Sequence, residues 1–204
     1  MKNILNIDFE FIEKLKAASG YNREGSSLHF PAEALQEEEE QVRFKKQCLE
    51  KYKPNYILET GTNKAEFCYL AKLFLPSCKI ITFDIQQWSG KCVELVNEHF
   101  GNEDVTFIQG NTHETFGKFS RGTEIGFAHV DGGHDYATAY SDLQNCDRLN
   151  IPYVLVDDYR GIGTVTNAVN TFCEMYPYSQ IDQDDESKDL TRGLVLLKRT
   201  GEQI

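Results

Sequence analysis

Two hydrophobic periods divide the chain. Residues 9–18 place apolar side chains at helical spacing and stop at Gly20, whereas residues 21–30 show no period and read as a loop. A second helical pattern opens with Pro31, suited to a first turn, and runs to about Tyr52 before Pro54 breaks it. Its centre, Glu37-Glu38-Glu39-Glu40, reads as a solvated face. From Tyr56 the pattern changes. Short apolar runs at 56–59, 79–83, 105–108, 125–130 and 153–156 read as buried strands. They alternate with helical segments at 65–74, 90–100, a weak one near Glu114, 137–146 and 165–175. Two closing strands, 179–183 and 194–198, follow without a helix between them and are joined by the polar linker 184–193.

Strands alternating with helices predict a parallel sheet covered on both faces, with right-handed crossovers. The expected architecture is a single α/β domain, Rossmann-like and doubly wound, over 56–204, preceded by an N-terminal helical extension over 1–55. The length of 204 residues leaves little room for a second domain. Such sheets bind ligands beyond the carboxyl ends of their strands, so the strand ends are where function is read.

Composition narrows the partners. With 40% hydrophobic and 26% charged residues the chain is that of an ordinary globular protein. A formal net charge of -11 repels a phosphate backbone and an anionic membrane, and the basic run Arg43-Phe44-Lys45-Lys46 is short. Neither nucleic acid nor membrane is an expected partner. The 6 cysteines form no CxxC pair and sit in apolar patterns, which points to free thiols rather than zinc ligands. The N-terminus has no secretory pattern and no stretch approaches bilayer length, so a cytoplasmic location is expected.

The first strand ends Glu59-Thr60-Gly61-Thr62-Asn63 and enters a helix. A glycine there lets a ligand approach the backbone, and the acid before it can meet an ammonium group. The second strand ends at Asp84, roughly 20 residues on, where a nucleotide-binding fold carries a ribose-binding acid. The third ends in Asn111 and Thr112, small polar side chains suited to the edge of an adenine ring. The fourth ends His129-Val130-Asp131-Gly132-Gly133-His134, and the fifth Val156-Asp157-Asp158-Tyr159. Adjacent strands would bring Asp131, Asp157 and Asp158 together, and carboxylates in one place repel unless something positive lies between them. A hard divalent cation held by oxygens is the economical answer; capping of helices or loops by one or two of them is the alternative. His134, beside Asp131, suits a general base, a further ligand, or a loop position without a role.

The segments ILETGTNKAEFCYLA, ITFDI, HVDGGHDYATAYSDL and YVLVDDYRGIGTVTNAV together resemble class I S-adenosylmethionine-dependent methyltransferases. The closest resemblance is to small metal-dependent O-methyltransferases of the catechol and antibiotic-sugar types, over roughly 56–198. It implies a seven-stranded sheet with an antiparallel last strand, S-adenosylmethionine as cofactor, and Mg²⁺ on Asp131, Asp157 and Asp158. It implies Glu59, Gly61, Thr62 and Asn63 around the methionine part and the turn, Asp84 on the ribose, Asn111 and Thr112 near the adenine, Asp131 bordering the cofactor, and His134 as base. The implied acceptor is a small hydroxylated molecule, sugar or phenol-like, and a homodimer agrees with the resemblance. The chain departs from the pattern at Ala65, where a glycine is usual, and at Gly133, where antibiotic-sugar members carry an acid. A metal-dependent hydroxylase or other enzyme on the same scaffold, or a degenerate binding subunit, are the rival expectations; turnover without S-adenosylmethionine separates the first, and Ala65 is what favours the second. Residues 1–55 and the 184–193 linker are expected to shape an acceptor pocket or subunit contact, with His29 able to cover the site.

Overall fold

The computed structural model describes residues 5–20, 34–120, 124–183 and 193–201. In chain order these form α1 (Phe9–Ser19), α2 (Ala34–Tyr52), β1 (Tyr56–Thr60), α3 (Glu66–Phe74), β2 (Lys79–Asp84), α4 (Gln87–Phe100) and β3 (Val105–Gln109). Then come α5 (Thr112–Lys118), β4 (Phe127–Val130), α6 (Tyr136–Arg148), β5 (Tyr153–Val156), α7 (Gly163–Met175), β6 (Tyr178–Gln183) and β7 (Val195–Arg199). The expected loop with His29 and the linker over 184–192 lie outside the described residues.

The strands make one sheet in the order β3-β2-β1-β4-β5-β7-β6. β1 to β5 pair in parallel, and β7 runs antiparallel to both β5 and β6. The seven-stranded, doubly wound sheet with an antiparallel last strand is therefore the architecture found. Strand order reverses between β1 and β4, which places the ligand crevice at their carboxyl ends.

The central strands are apolar throughout because both faces are covered. Ile57, Ile80, Phe127 and Leu155 pack with Phe11, Leu15, Phe44, Leu49, Phe67 and Val93 of α1 to α4. Leu58, Ile81, Ala128 and Val154 pack on the other face with Leu143, Val169 and Phe172 of α6 and α7. The N-terminal helices thus share a core with the sheet. Tyr52 stacks on Tyr153 with centroids 3.8 Å apart, which fixes the end of α2 over β5. Several element boundaries differ from expectation by one to three residues. Helix α4 begins at Gln87 rather than 90, and β4 at Phe127 rather than 125, because Ile125 is buried ahead of the regular ladder.

Candidate active site

The turn after β1 is built by close backbone approach. Gly61 has φ +85°, and a Cβ there would lie 1.8 Å from the Asp131 carbonyl oxygen. The chain leaving β4 therefore requires a glycine at this turn. The Gly61 and Thr62 N–H groups donate to the Phe83 carbonyl, and the Asn63 N–H donates to Asp84 Oδ2 at 2.7 Å. Ala65 stands at φ 58°, ψ 26°, in the left-handed region, and is fully buried. Alanine here keeps the backbone that a glycine would adopt, at a cost of roughly 1 kcal/mol, while its methyl group packs in the core. No side chain caps the N-terminus of α3, which leaves its first-turn amides free of a side-chain acceptor.

A row of polar groups crosses the sheet face beneath α2. Glu59 is in register with Thr82 on one side and His129 on the other, and β-strand alternation points all three to the same face. Glu59, 1% exposed, accepts from the Thr82 hydroxyl at 2.6 Å and the Cys68 thiol at 3.0 Å through Oε2, while Oε1 lies 3.3 Å from His129 Nδ1. Both of its oxygens are engaged within the fold, so Glu59 shapes the site from below. The Thr62 hydroxyl likewise pairs with Thr82, at 2.6 Å. His129 stacks on Phe67 with centroids 3.9 Å apart. Its Nε2 faces Asp157 Oδ2 at 3.7 Å. Burial alone would depress its pKa, but Asp157 and Glu59 raise it above the ordinary value.

Lys45, from α2, completes this row: its Nζ donates to Asp157 Oδ2 at 2.9 Å. Burial would raise the Asp157 pKa, yet the Lys45 ammonium and His129 hold that carboxyl far below the usual range. Burial would lower the Lys45 pKa, and Asp157, Asp131 and Glu59 raise it instead. Lys45 is therefore a charged ammonium at neutral pH.

Outside this row, His134 Nε2 lies 3.0 Å from Asp158 Oδ2 and 3.9 Å from Asp131 Oδ1. Its side chain is 52% exposed, so the ring meets solvent while leaning on two acids. Asp131 and Asp158 hold the imidazole pKa above the ordinary value. Thr164 Oγ1 donates to the His134 carbonyl at 2.6 Å and ties the loop to α7. Asp158 has φ 58°, an unfavourable conformation for a non-glycine residue and one found at functional sites. Asp131 carries a pKa pushed up to about 6, by burial first and then by Asp157. Asp131 joins two sets of potential metal ligands, one with His129 and Asp157 and one with His134 and Asp158; within each set the ligand atoms lie within 4.8 Å of one another. Asp157 and Asp158 thus fall in different sets.

The remaining expected residues lie along β2 and β3. Asp84 accepts from the Asn63 and Gln86 N–H groups, one per oxygen, and retains lone pairs for further donors. Asn111 caps α5 through the His113 N–H at 3.0 Å, leaving its side-chain amide unbonded to the cap. Thr112 is buried and turned toward Asp142 on α6. Asp135 caps α6 and serves the helix rather than the site.

Asp142 is a fully buried acid whose two oxygens have no hydrogen-bond partner among the described residues. Burial pushes its pKa up to about 6, and the nearby Thr112 and Thr60 hydroxyls offset only part of that. A carboxyl raised above its unfolded value stabilises the fold fully below the unfolded pKa and loses that contribution as pH rises through the folded pKa. The window here runs from about pH 4 to about 6. Asp142→Asn should therefore be more stable than the parent at pH 8, by about 2–3 kcal/mol. Denaturant titrations of both proteins at pH 5 and pH 8 check this. A variant no more stable than the parent at pH 8 would show that Asp142 is already satisfied when charged.

Two residues of this site, Lys45 and His129, escape a strand-end reading. Lys45 looked like one charge in a short basic run. It nonetheless occupies the apolar stripe Val42, Lys45, Leu49, Tyr52, where a lysine is out of place. His129 interrupts the run Phe127-Ala128-His129-Val130, a polar side chain in a strand covered on both faces.

Comparison with known proteins agrees with this fold. The fold is that of O-methyltransferase structures. An O-methyltransferase from Bacillus cereus in complex with SAH superposes with TM-score 0.71 at 14% identity, over 96% of this chain and 93% of that one. TomG from Streptomyces achromogenes, an O-methyltransferase involved in tomaymycin synthesis and bound to SAM, gives 0.70 at 18% identity over 98% and 93%. The SAH-bound methyltransferase PaMTH1 of Podospora anserina gives 0.66 at 12% identity over 96% and 89%. No curated protein matches the sequence. The sequence model described as a methyltransferase domain matches residues 58–159, half of the chain. The protein belongs to this methyltransferase domain family.

Proposed function

We propose that this protein transfers a methyl group from S-adenosylmethionine to a hydroxyl oxygen of a small acceptor, sugar or phenol-like. One observation carries the reading: at the point where strand order reverses, a nucleotide-type edge formed by Asp84 and the uncapped α3 adjoins the acidic and imidazole group of Asp131, His134 and Asp158. The SAM and SAH bound in structures of the same fold support it. The sulfonium supplies an activated methyl group, so the chain has only to bind, orient and manage one proton. Asp84 offers its remaining lone pairs to ribose hydroxyls. The first-turn amides of α3 suit the carboxylate end of the cofactor. Gly61, Thr62 and Asn63 set the turn between these two. Asn111, with a free side-chain amide, borders the adenine edge. His134 takes the proton of the acceptor hydroxyl, held in direction by Asp158 and Asp131. Ala65 keeps the left-handed turn, so the departure from the family pattern leaves the pocket floor in place.

A divalent metal ion fits part of the acidic cluster. Asp131 and Asp158 present hard oxygen ligands beside His134, with their ligand atoms within 4.8 Å of one another. Mg²⁺ there would act as a Lewis acid on the acceptor oxygen. Asp157, on the other side of Asp131, is the third expected ligand; its Oδ2 is engaged by Lys45.

Calorimetry tests the cofactor reading. S-adenosylmethionine should bind the parent protein, and Asp84→Ala should weaken it at least about tenfold, or about 1.4 kcal/mol. Absence of binding to the parent, with and without Mg²⁺, would sink the proposal at its first step.

For the surroundings of the reaction we take the acceptor to be a small molecule, with nucleic acid and membranes disfavoured by the net charge of -11. No described helix is long and apolar enough to cross a membrane. The cysteines are free and five of the six are buried, which suits a reducing cytoplasm. A homodimer is our working assembly.

A further inference from the structure

The acidic cluster has more ligand chemistry than one cation requires. Its inner set, His129, Asp131 and Asp157, lies under α2. His129 is 1% exposed, its Nε2 has no hydrogen-bond partner among the described residues, and that nitrogen faces Asp157 Oδ2 at 3.7 Å. Two carboxylates and a buried, unbonded imidazole nitrogen are a donor set for a divalent transition metal. The position against Asp157 is nevertheless taken by the Lys45 ammonium, 2.9 Å from Oδ2. A metal ion bound to the same oxygen at about 2.0–2.2 Å would compete with that ammonium for both space and charge.

We propose that Lys45 is a built-in competitor of metal ions, holding the inner His129–Asp131–Asp157 set closed and confining divalent-cation binding to the Asp131 and Asp158 carboxylates beside His134. Lys45 cannot withdraw cheaply. Its neighbours Phe44, Cys48 and Leu49 are buried in the core, and Tyr52 is stacked on Tyr153. The helix is thereby pinned with its ammonium over the site. Asp157 becomes the anchor of α2 rather than a ligand. One cation then stands in the outer set, where His134 meets solvent, and a second metal is kept out of the buried row that shapes the cofactor turn through Glu59. The inference rests on the metal reading above for its outer set and on the Lys45 geometry for its inner one.

Mn²⁺ titration of the whole protein, without cofactor or acceptor, separates these parts by the electron paramagnetic resonance signal of free Mn²⁺. In the parent, Asp158→Asn should weaken binding by at least about tenfold, while Asp157→Asn, which keeps an oxygen for Lys45, should change it by less than about threefold. Lys45→Met should gain a second equivalent of Mn²⁺ or bind at least about tenfold more tightly. Lys45→Arg should behave as the parent, and adding His129→Ala to Lys45→Met should remove the gain. Circular dichroism establishes that each variant is folded. Should Lys45→Met not fold, the contrast between Asp157→Asn and Asp158→Asn decides alone. Equal losses from those two variants, or a folded Lys45→Met with no gain, would overturn the proposal. A parent that binds no Mn²⁺ beside a Lys45→Met that binds one equivalent would uphold Lys45 as the competitor, but overturn the outer site and with it metal assistance in the proposed function. No binding to either protein would remove both.

Discussion

Gly61→Ala is expected to lose more than about 4 kcal/mol of stability, a size reserved for a few mechanisms. The mechanism here is backbone against backbone. A Cβ on Gly61 would stand 1.8 Å from the Asp131 carbonyl oxygen, 2.4 Å from its carbon and 2.9 Å from the Gly132 nitrogen. No flexible side chain is available to move aside. The Gly61 N–H is held by the Phe83 carbonyl at 2.8 Å, and the Asp131 N–H by the Thr60 carbonyl at 2.9 Å. Relief would therefore require parting β1 from β4 at their carboxyl ends. The φ of +85° adds a further penalty for any side chain. For a domain of this size the midpoint of thermal unfolding should fall by more than about 10 °C. A shift within about 3 °C would mean that the two strand ends have room the structure does not show. Any folded fraction should also have weakened cofactor binding, because the displaced turn carries the Asn63 bond to Asp84.

The second large effect falls on turnover alone. His134→Ala is expected to lower kcat by about 10²–10⁴-fold while leaving cofactor affinity within a factor of about two. The ring is half exposed, belongs to no hydrophobic core and makes its close contacts with Asp158 and Asp131. Removing it would take away the proposed proton acceptor without opening a cavity. The loop backbone is held independently by Thr164 and by the Asp135 cap of α6. Single-turnover methyl transfer from labelled S-adenosylmethionine separates the chemical step from binding. An unchanged kcat would remove His134 from the chemistry and leave it as a surface residue near two acids.

Much of this was legible along the chain because the relevant order is local. Apolar runs of four to six residues between helical patterns mark strands that both faces bury, and chain order alone then predicts a parallel sheet with its ligands at the carboxyl ends. Asp84, Asp131, Asp157 and Asp158 stand out because each closes such a run. The rest depends on contacts distant in sequence. Lys45 and Asp157 are 112 residues apart, and nothing in the spacing of either announces the other. The lysine on the apolar stripe of α2 was the available signal, and it predicts only that the ammonium finds a buried acid. His129 carried a comparable signal as a polar residue inside β4. Gly61 shows a different limit. A glycine reports that something comes close; whether that is a ligand or, as here, the carbonyl of Asp131 is settled only in three dimensions. Ala65 shows that a departure in residue type can keep the backbone geometry of the pattern it departs from.

The carboxylate cluster also illustrates how charge constrains a reading. Repulsion among Asp131, Asp157 and Asp158 demands positive charge, and a metal ion is one source. The protein supplies another in Lys45 against Asp157, while His134 leans on Asp158 as an imidazole able to take up a proton. These side chains divide the cluster, so an ion bound as proposed would face a smaller and more exposed set of ligands than the count of acids suggests.

A crystal structure of the protein with S-adenosylhomocysteine and Mn²⁺ tests the central claim most directly. The account predicts the nucleoside across the ends of β1 to β3, with its ribose hydroxyls on Asp84 and its amino-acid end at the first turn of α3. It also predicts an anomalous Mn²⁺ peak between Asp131 and Asp158, with Lys45 still on Asp157. Ligand density away from these strand ends, or a strand-end crevice that stays closed at saturating S-adenosylhomocysteine, would contradict it.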